Sequence, residues 1–579
     1  MKLAQNPVYD KDDLDASLEQ RADYIPTEKL VEETATTSVL FESVRKALLS
    51  SGLKTLVGPR GCGKTHMMRY AWLTCQDDGS KPFAVYVSFN KYYRLEPLLV
   101  SRASPPDEFH AWALGLIVLA TYGSLSYKPE HAALVSDLEL KAGLPRAGLE
   151  SLVSALERNQ PLSSEQAALS REISVRRVQQ LLDLACTLTQ RKRTVLLLDD
   201  AALTLTPTYL IEFLDIVRAL KSSTIAPKAS VYPGTTEYSA RFHAGQDSTA
   251  VFVWLSVEAD EYQSDMDQIA RCRFADFEQI PQDVVDLLRF AAFGIPRAYL
   301  TMLQDYKEHR AKTSQQTLNQ VVEAHLNARL AEFRSIAKKV PKLGELISVG
   351  EAVLNGMVRA IKTSNTDSSV VQLLVGVPKE DLTAIVKRMF QLLIEAGLIF
   401  DAKEVKHGTP ERIYQRYIPH GAALLQSRAL TSGDLGGTLK STAEALRRKR
   451  AKHPVRRKLE KYVDDPRLIQ QLDFALPACP SCAAPRVSDE QRFCVNCGAQ
   501  LVAVSTFDNC LSVPIEEVPG LTQWQIQTIR SELPRLRTIR DYLAMQDPAA
   551  ELRTVYGIGL RRSTRIADVL HGFVDDFLS

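Results

Sequence analysis

The chain has 579 residues, 45% of them hydrophobic and 24% charged, and its 71 Lys and Arg against 69 Asp and Glu leave a net charge of only +2. That length exceeds what one core supports and points to three to five domains of ordinary globular composition. No run supplies the ~18 uninterrupted apolar residues of a membrane span, and the opening MKLAQNPVYDKDD turns acidic where a signal peptide is apolar, so a cytoplasmic chain is expected and its nine cysteines are not read as a disulfide framework.

After an N-terminal arm (1–37), residues 53–57 read as a short apolar strand, followed by GPRGCGKT at 58–65 and a helix over 65–72. Strand, glycine loop and helix, with Gly58 and Gly63 at the G-x-x-x-x-G-K-[ST] spacing, form a phosphate-binding loop. Glycine lets the backbone of Gly58, Pro59, Arg60, Gly61, Cys62 and Gly63 wrap a phosphate, and the freed amides face the anion together with the helix N-terminus. Lys64 is placed to reach the β- and γ-phosphates, and the Thr65 hydroxyl to bind Mg²⁺. Residues 90–191 read as a long, mostly helical insertion with no functional assignment. RTVLLLDDAA at 193–202 is a buried apolar strand ending in two acids. Asp199 is expected to hold the Mg²⁺ shell, and Asp200 to polarise the attacking water. Asp200 is one methylene shorter than the usual Glu, which predicts slow hydrolysis. A further strand is expected to end at Thr235 and Thr236, where a hydroxyl can read the γ-phosphate. Arg241 follows, with a surface arginine as the competing reading. FGIPRAYL then places Gly294, Pro296 and Arg297 at a helix corner.

In this order over residues 38–335, the motifs resemble an AAA+ ATPase, and GPRGCGKT and FGIPR resemble most the origin-recognition initiator branch or its STAND signalling relatives. The resemblance implies an α/β nucleotide-binding core with a helical insertion (38–275) and a helical lid (276–340). It also implies an arginine finger at Arg241 offered to a neighbouring subunit, and a lid arginine, Arg297, on the γ-phosphate.

Residues 341–425 change rhythm. A helix, a short helix or turn at VVQLLVG, an amphipathic helix opening on Pro378, and a basic hairpin around HGTP read as a winged helix. Leu382, Ile385, Val386, Met389 and Leu393 form its apolar face, while Lys387 and Arg388 would meet DNA; a protein-docking role is the alternative. Residues 426–475 read as a basic linker. Its stretch 440–458 carries nine Lys or Arg against the single acid Glu444, so that Arg447 and Arg448 are either solvated or phosphate-binding. Cys479, Cys482, Cys494 and Cys497 form two C-x2-C pairs, the four-thiolate set of a closed structural zinc ribbon (476–505). The tail (506–579) contains YGIGLRRSTR, which resembles a helix-hairpin-helix motif, with a degenerate first copy at VPGLTQWQ. Gly557 and Gly559 would bare backbone amides to a DNA phosphate, flanked by Arg561, Arg562 and Arg565. A purely structural helical domain is the alternative for the tail.

The chain is therefore expected to be a multidomain ATPase using ATP, Mg²⁺ and Zn²⁺. It would bind duplex DNA in the manner of an initiator and assemble with itself or a partner protein. A signalling ATPase that senses a protein or foreign nucleic acid and licenses an effector is the second reading.

Overall fold

The computed structural model describes residues 25–200, 207–233, 242–243, 245–308, 313–340, 343–366, 370–409, 411–431, 438–472, 479, 481–484, 493–499, 510–518, 521–545 and 547–578. Its central sheet is parallel, in the order β2-β3-β4-β1-β5: Phe83–Ser88, Thr194–Asp199, Ile225–Val231, Lys54–Val57 and Thr249–Phe252. Parallel strands are covered on both faces and read as unbroken apolar runs. β3 (TVLLLD) and β4 are accordingly buried at every residue. The register sets Ser88 opposite Asp199, and Leu198 opposite Ala229, so that β2, β3 and β4 end together at one edge of the sheet.

The insertion between β2 and β3 is helical, as expected, and packs a second core against the outer strands. Its longest helix, Pro105–Ser126, is apolar enough and long enough to cross a membrane by those two criteria alone. However, 67% of its most apolar window is buried within the protein, under the helices Arg146–Glu157 and Val175–Leu188.

Beyond β5 come four lid helices, Tyr262–Arg273, Gln282–Ala292, Pro296–Glu308 and Ser314–Lys339, and then helix Gly344–Asn365, β6 (Val375–Pro378), helix Ala384–Glu395, and a hairpin of β7 (Ile399–His407) and β8 (Arg412–Pro419). Three expectations change here. Part of VVQLLVG is strand β6 instead of a helix or turn, because it pairs antiparallel with β8. The amphipathic helix does not open on Pro378. A 3₁₀ turn intervenes, and the helix starts where the Thr383 hydroxyl accepts from the Val386 amide as an N-cap. The basic linker is folded: helix Leu439–Arg447 packs on the lid, and β9 (Val455–Arg456) adds to the small sheet in the order β7-β8-β6-β9.

Nor do lid and hairpin module have separate cores. One hydrophobic cluster runs from Val44 in the helix Val39–Leu49 to Leu472, taking in the lid, the hairpin module and the folded basic segment. Gly356 shows how close this packing is: a Cβ there would fall 1.6 Å from the Tyr462 carbonyl oxygen. The tail beyond 510 has its own small core.

Candidate nucleotide site and metal centre

The loop after β1 takes the shape its glycines allow. Gly61 and Gly63 both have φ of +86°, and Gly63 leads into the helix Lys64–Asp77. The Lys64 ammonium donates to the carbonyls of Gly58 at 2.6 Å and Pro59 at 3.1 Å, and lies 4.6 Å from the centre of the Tyr232 ring. Burial lowers its pKa, against the raising pull of Asp199 and Asp200. Burial pushes the neighbouring Cys62 thiol up to about 12, which leaves it an inert packing group.

Asp199 ends β3 and is 1% exposed. Tyr86 donates its hydroxyl to Asp199 Oδ2 at 3.0 Å, while Oδ1 is buried and has no hydrogen-bond partner among the described residues. A buried carboxylate oxygen without a donor, beside a phosphate loop, fits a Mg²⁺ shell, since that ion takes one or two carboxylates together with phosphate oxygens. Thr65, in the first turn of the P-loop helix, is the second protein group available to it. Asp200 sits at φ +53°, a left-handed conformation uncommon for a residue with a Cβ. Its amide donates to Ser230 Oγ at 3.0 Å and its Oδ2 accepts from Ser88 Oγ at 3.4 Å. Tyr86, Ser88, Ser230 and Tyr232 were not singled out by motif. Their only signal in the sequence is position at the carboxyl ends of parallel strands, where ligands of open α/β sheets bind.

The lid corner reaches the loop directly. The Arg297 amide donates to the Gly61 carbonyl at 3.4 Å. Gly294, at φ +77°, is required, because a Cβ there would lie 2.1 Å from the Leu255 carbonyl oxygen. The hairpin module touches the same place. At the end of helix Ala384–Glu395, a Cβ on Gly397 would meet Ile295 at 3.0 Å and Pro59 at 3.8 Å, and Phe400 stacks edgewise on Trp254 at 4.9 Å. Burial first, then Asp200, Glu395 and Glu332 against Arg60, push the Tyr232 hydroxyl up to about 12. Charges from the lid and from the hairpin module thus act on a residue that touches Lys64. Thr235 and Arg241 lie outside the described residues.

In the ribbon, the four cysteine Sγ atoms lie within 4.8 Å of one another, with Cys479–Cys497 and Cys482–Cys494 both at 3.6 Å. A tetrahedron with Zn–S bonds of ~2.3 Å has edges of about 3.8 Å, so the cluster fits zinc. The two knuckles are built alike. The amides of Cys479 and Cys494 donate to the Ala484 and Ala499 carbonyls, and those of Ala483 and Gly498 donate back to the carbonyls of the two cysteines. Ala483 (φ +56°) and Gly498 (φ +69°) both take the left-handed conformation.

Of the residues expected to meet DNA, Lys387 and Arg448 are exposed, and Arg388 is partly buried. Arg447 is instead tied to the lid, in ion pairs with Asp283 at 2.7 Å and with Asp286, because its helix packs against Gln282–Ala292. Gly557 has φ +87°, as a tight hairpin turn requires, and Arg562 Nη1 donates to its carbonyl at 3.0 Å. Gly559 follows immediately before the helix Leu560–Leu578, whereas the side chain of Arg561 lies outside the described residues.

No family model matches this sequence, and no curated protein matches it. Among solved structures, the chain is similar to the Walker-type ATPase PABY2304 of Pyrococcus abyssi, at 12% identity and a TM-score of 0.34, over 67% of this chain and 94% of that one.

Proposed function

We propose that the chain is an AAA+-like ATPase that binds duplex DNA and changes its assembly with bound nucleotide. The observation that carries this reading is the seam at the phosphate loop, where Lys64, the partnerless Asp199 oxygen, the Gly61–Arg297 contact and the hairpin module at Gly397 converge. Bound Mg²⁺ would neutralise the phosphate charge developed during hydrolysis. For the protein's part, Lys64 leaves its own loop carbonyls to meet the β- and γ-phosphates, and Asp199 and Thr65 hold the ion. Asp200 orients the attacking water, and Arg297 follows any shift of the loop.

DNA binding is supported by the folded basic segment. It is pinned beside β6 by hydrogen bonds between Val371 and Lys449, Val455 and Leu374, and Arg457 and Gly376. Arg448, Lys449, Lys452, His453, Arg456 and Lys458 are held exposed along this edge, and the His407 ring lies 6.4 Å from that of His453 at the tip of the wing. A fixed row of cations suits a phosphate backbone through counterion release.

The signalling reading draws on one observation: the hairpin module is closed onto the phosphate loop at Pro59, the arrangement of a switch held shut. The deciding experiment is ATPase rate and mass, each measured with and without plain duplex DNA. Stimulation and a larger assembly with DNA alone are expected. A rate indifferent to DNA in every nucleotide state would transfer the function to the signalling reading.

A further inference from the structure

The hairpin turn of the tail exposes an apolar knob that phosphate binding does not explain. Tyr556, immediately before Gly557, is 92% exposed, Leu560 is 65% exposed, and Trp524, on the helix Gln523–Glu532, is 46% exposed. These three surround one point. A Cβ on Gly557 would rest on the Trp524 ring at 3.4 Å, so the turn lies against the indole. The Arg562 guanidinium sits 5.2 Å from the centre of that ring while it donates to the Gly557 carbonyl. Buried Ile558 and Ile566 anchor the turn from below, in the core of the tail. Arg553, Arg561, Arg562 and Arg565 are the only charged residues between 553 and 567, so the knob is set in a cationic surround.

A protein-facing apolar patch would gain nothing from four uncompensated arginines, whereas an unpaired nucleotide offers both a π-face and a phosphate. Aromatic side chains stacked on bases, with arginine beside them, are the chemistry of single-strand recognition. We propose that Trp524 and Tyr556 form a stacking platform for an unpaired base, so that the tail prefers a single-stranded end or junction to continuous duplex. This rests on the DNA reading above and names the kind of DNA the tail selects.

The test uses the full chain with two probes, a blunt duplex and the same duplex carrying a thymine overhang. Each is followed by fluorescence, and the Trp524→Phe variant is subtracted to isolate the signal of Trp524. The overhang should quench Trp524 and bind about tenfold tighter, since one stacked base contributes ~1–3 kcal/mol. Tyr556→Ala should erase that preference and Tyr556→Phe keep it. Loss of fold is a poor explanation for any effect at Tyr556, given its exposure. Equal affinity for both probes with Trp524 unquenched would overturn the platform while leaving salt-sensitive duplex binding in place. No binding to either probe would overturn the platform together with the DNA reading.

Discussion

Lys64 and Asp199 mark opposite ends of what a sequence makes readable. Their roles follow from a motif because phosphate geometry fixes the spacing of loop, lysine and hydroxyl. Lys64→Ala removes a charge-assisted contact and the only ammonium on the loop. It should weaken ATP binding by about a hundredfold, measured by calorimetry, on the basis of ~1.5–3 kcal/mol for a hydrogen bond to a charged group. The partners of these residues are not readable in the same way, because sheet register and not sequence spacing brings Tyr86 and Tyr232 to them. A second lysine carries no motif at all. Lys228 lies inside β4, wholly buried, and donates to the carbonyls of Ser50 at 2.8 Å and Gly52 at 2.5 Å. Burial pulls its pKa down to about 7. Between that value and the ordinary lysine pKa of ~10.4, the unfolded chain binds a proton that the folded chain does not, so stability from this group rises with pH at up to ~1.4 kcal/mol per unit. Below about pH 7 the burial penalty is constant. Lys228→Met should flatten the rise of thermal midpoint across that window, and an unchanged slope would mean that the ammonium is charged in the native state.

At the scale of elements, the ribbon was legible in full because metal ligands must be spaced for one ion. What the spacing did not reveal is that the two knuckles are unequal. Gly498 adopts its left-handed φ without cost, whereas Ala483 does so at a cost of ~1 kcal/mol. Ala483→Gly should therefore tighten zinc retention against a chelator by a few-fold, and stripping the metal should unfold the ribbon while the thermal transition of the main core stays put, since none of the four cysteines belongs to that core. The strand β6 and the fold of the basic segment were the least legible elements. A four-residue strand is defined by its partner β8, and a run of arginines and lysines looks alike whether it is tethered or loose. Held beside β6, the run acts as a rigid edge. Lys449→Glu/Lys452→Glu should lower duplex affinity and flatten the slope of log K against log salt by about 0.9 per lost contact, up to ~1.8 in all.

The whole molecule divides differently from its motifs. Sequence reading set a boundary near residue 340, between lid and hairpin module, because the rhythm of the chain changes there. Packing sets no boundary there, since Phe290, Phe293 and Phe333 of the lid share one core with Met357, Phe390 and Tyr417 beyond it. A fragment ending at 340 should accordingly aggregate, and one ending at 472 should elute as a monodisperse species in size-exclusion chromatography. Recovery of a soluble, nucleotide-binding 25–340 fragment would show that the shared core is dispensable.

The continuity of that core also constrains how such a chain can be assembled over evolutionary time. A recombination breakpoint between Val253 and Leu472 would leave two halves whose apolar surfaces no longer match, so exchange of modules there is selected against. The zinc ribbon and the tail contribute nothing to that cluster among the described residues, so a breakpoint beyond Leu472 leaves the engine whole. The nucleotide-driven part is thus inherited as a block, while the address it is sent to can be replaced.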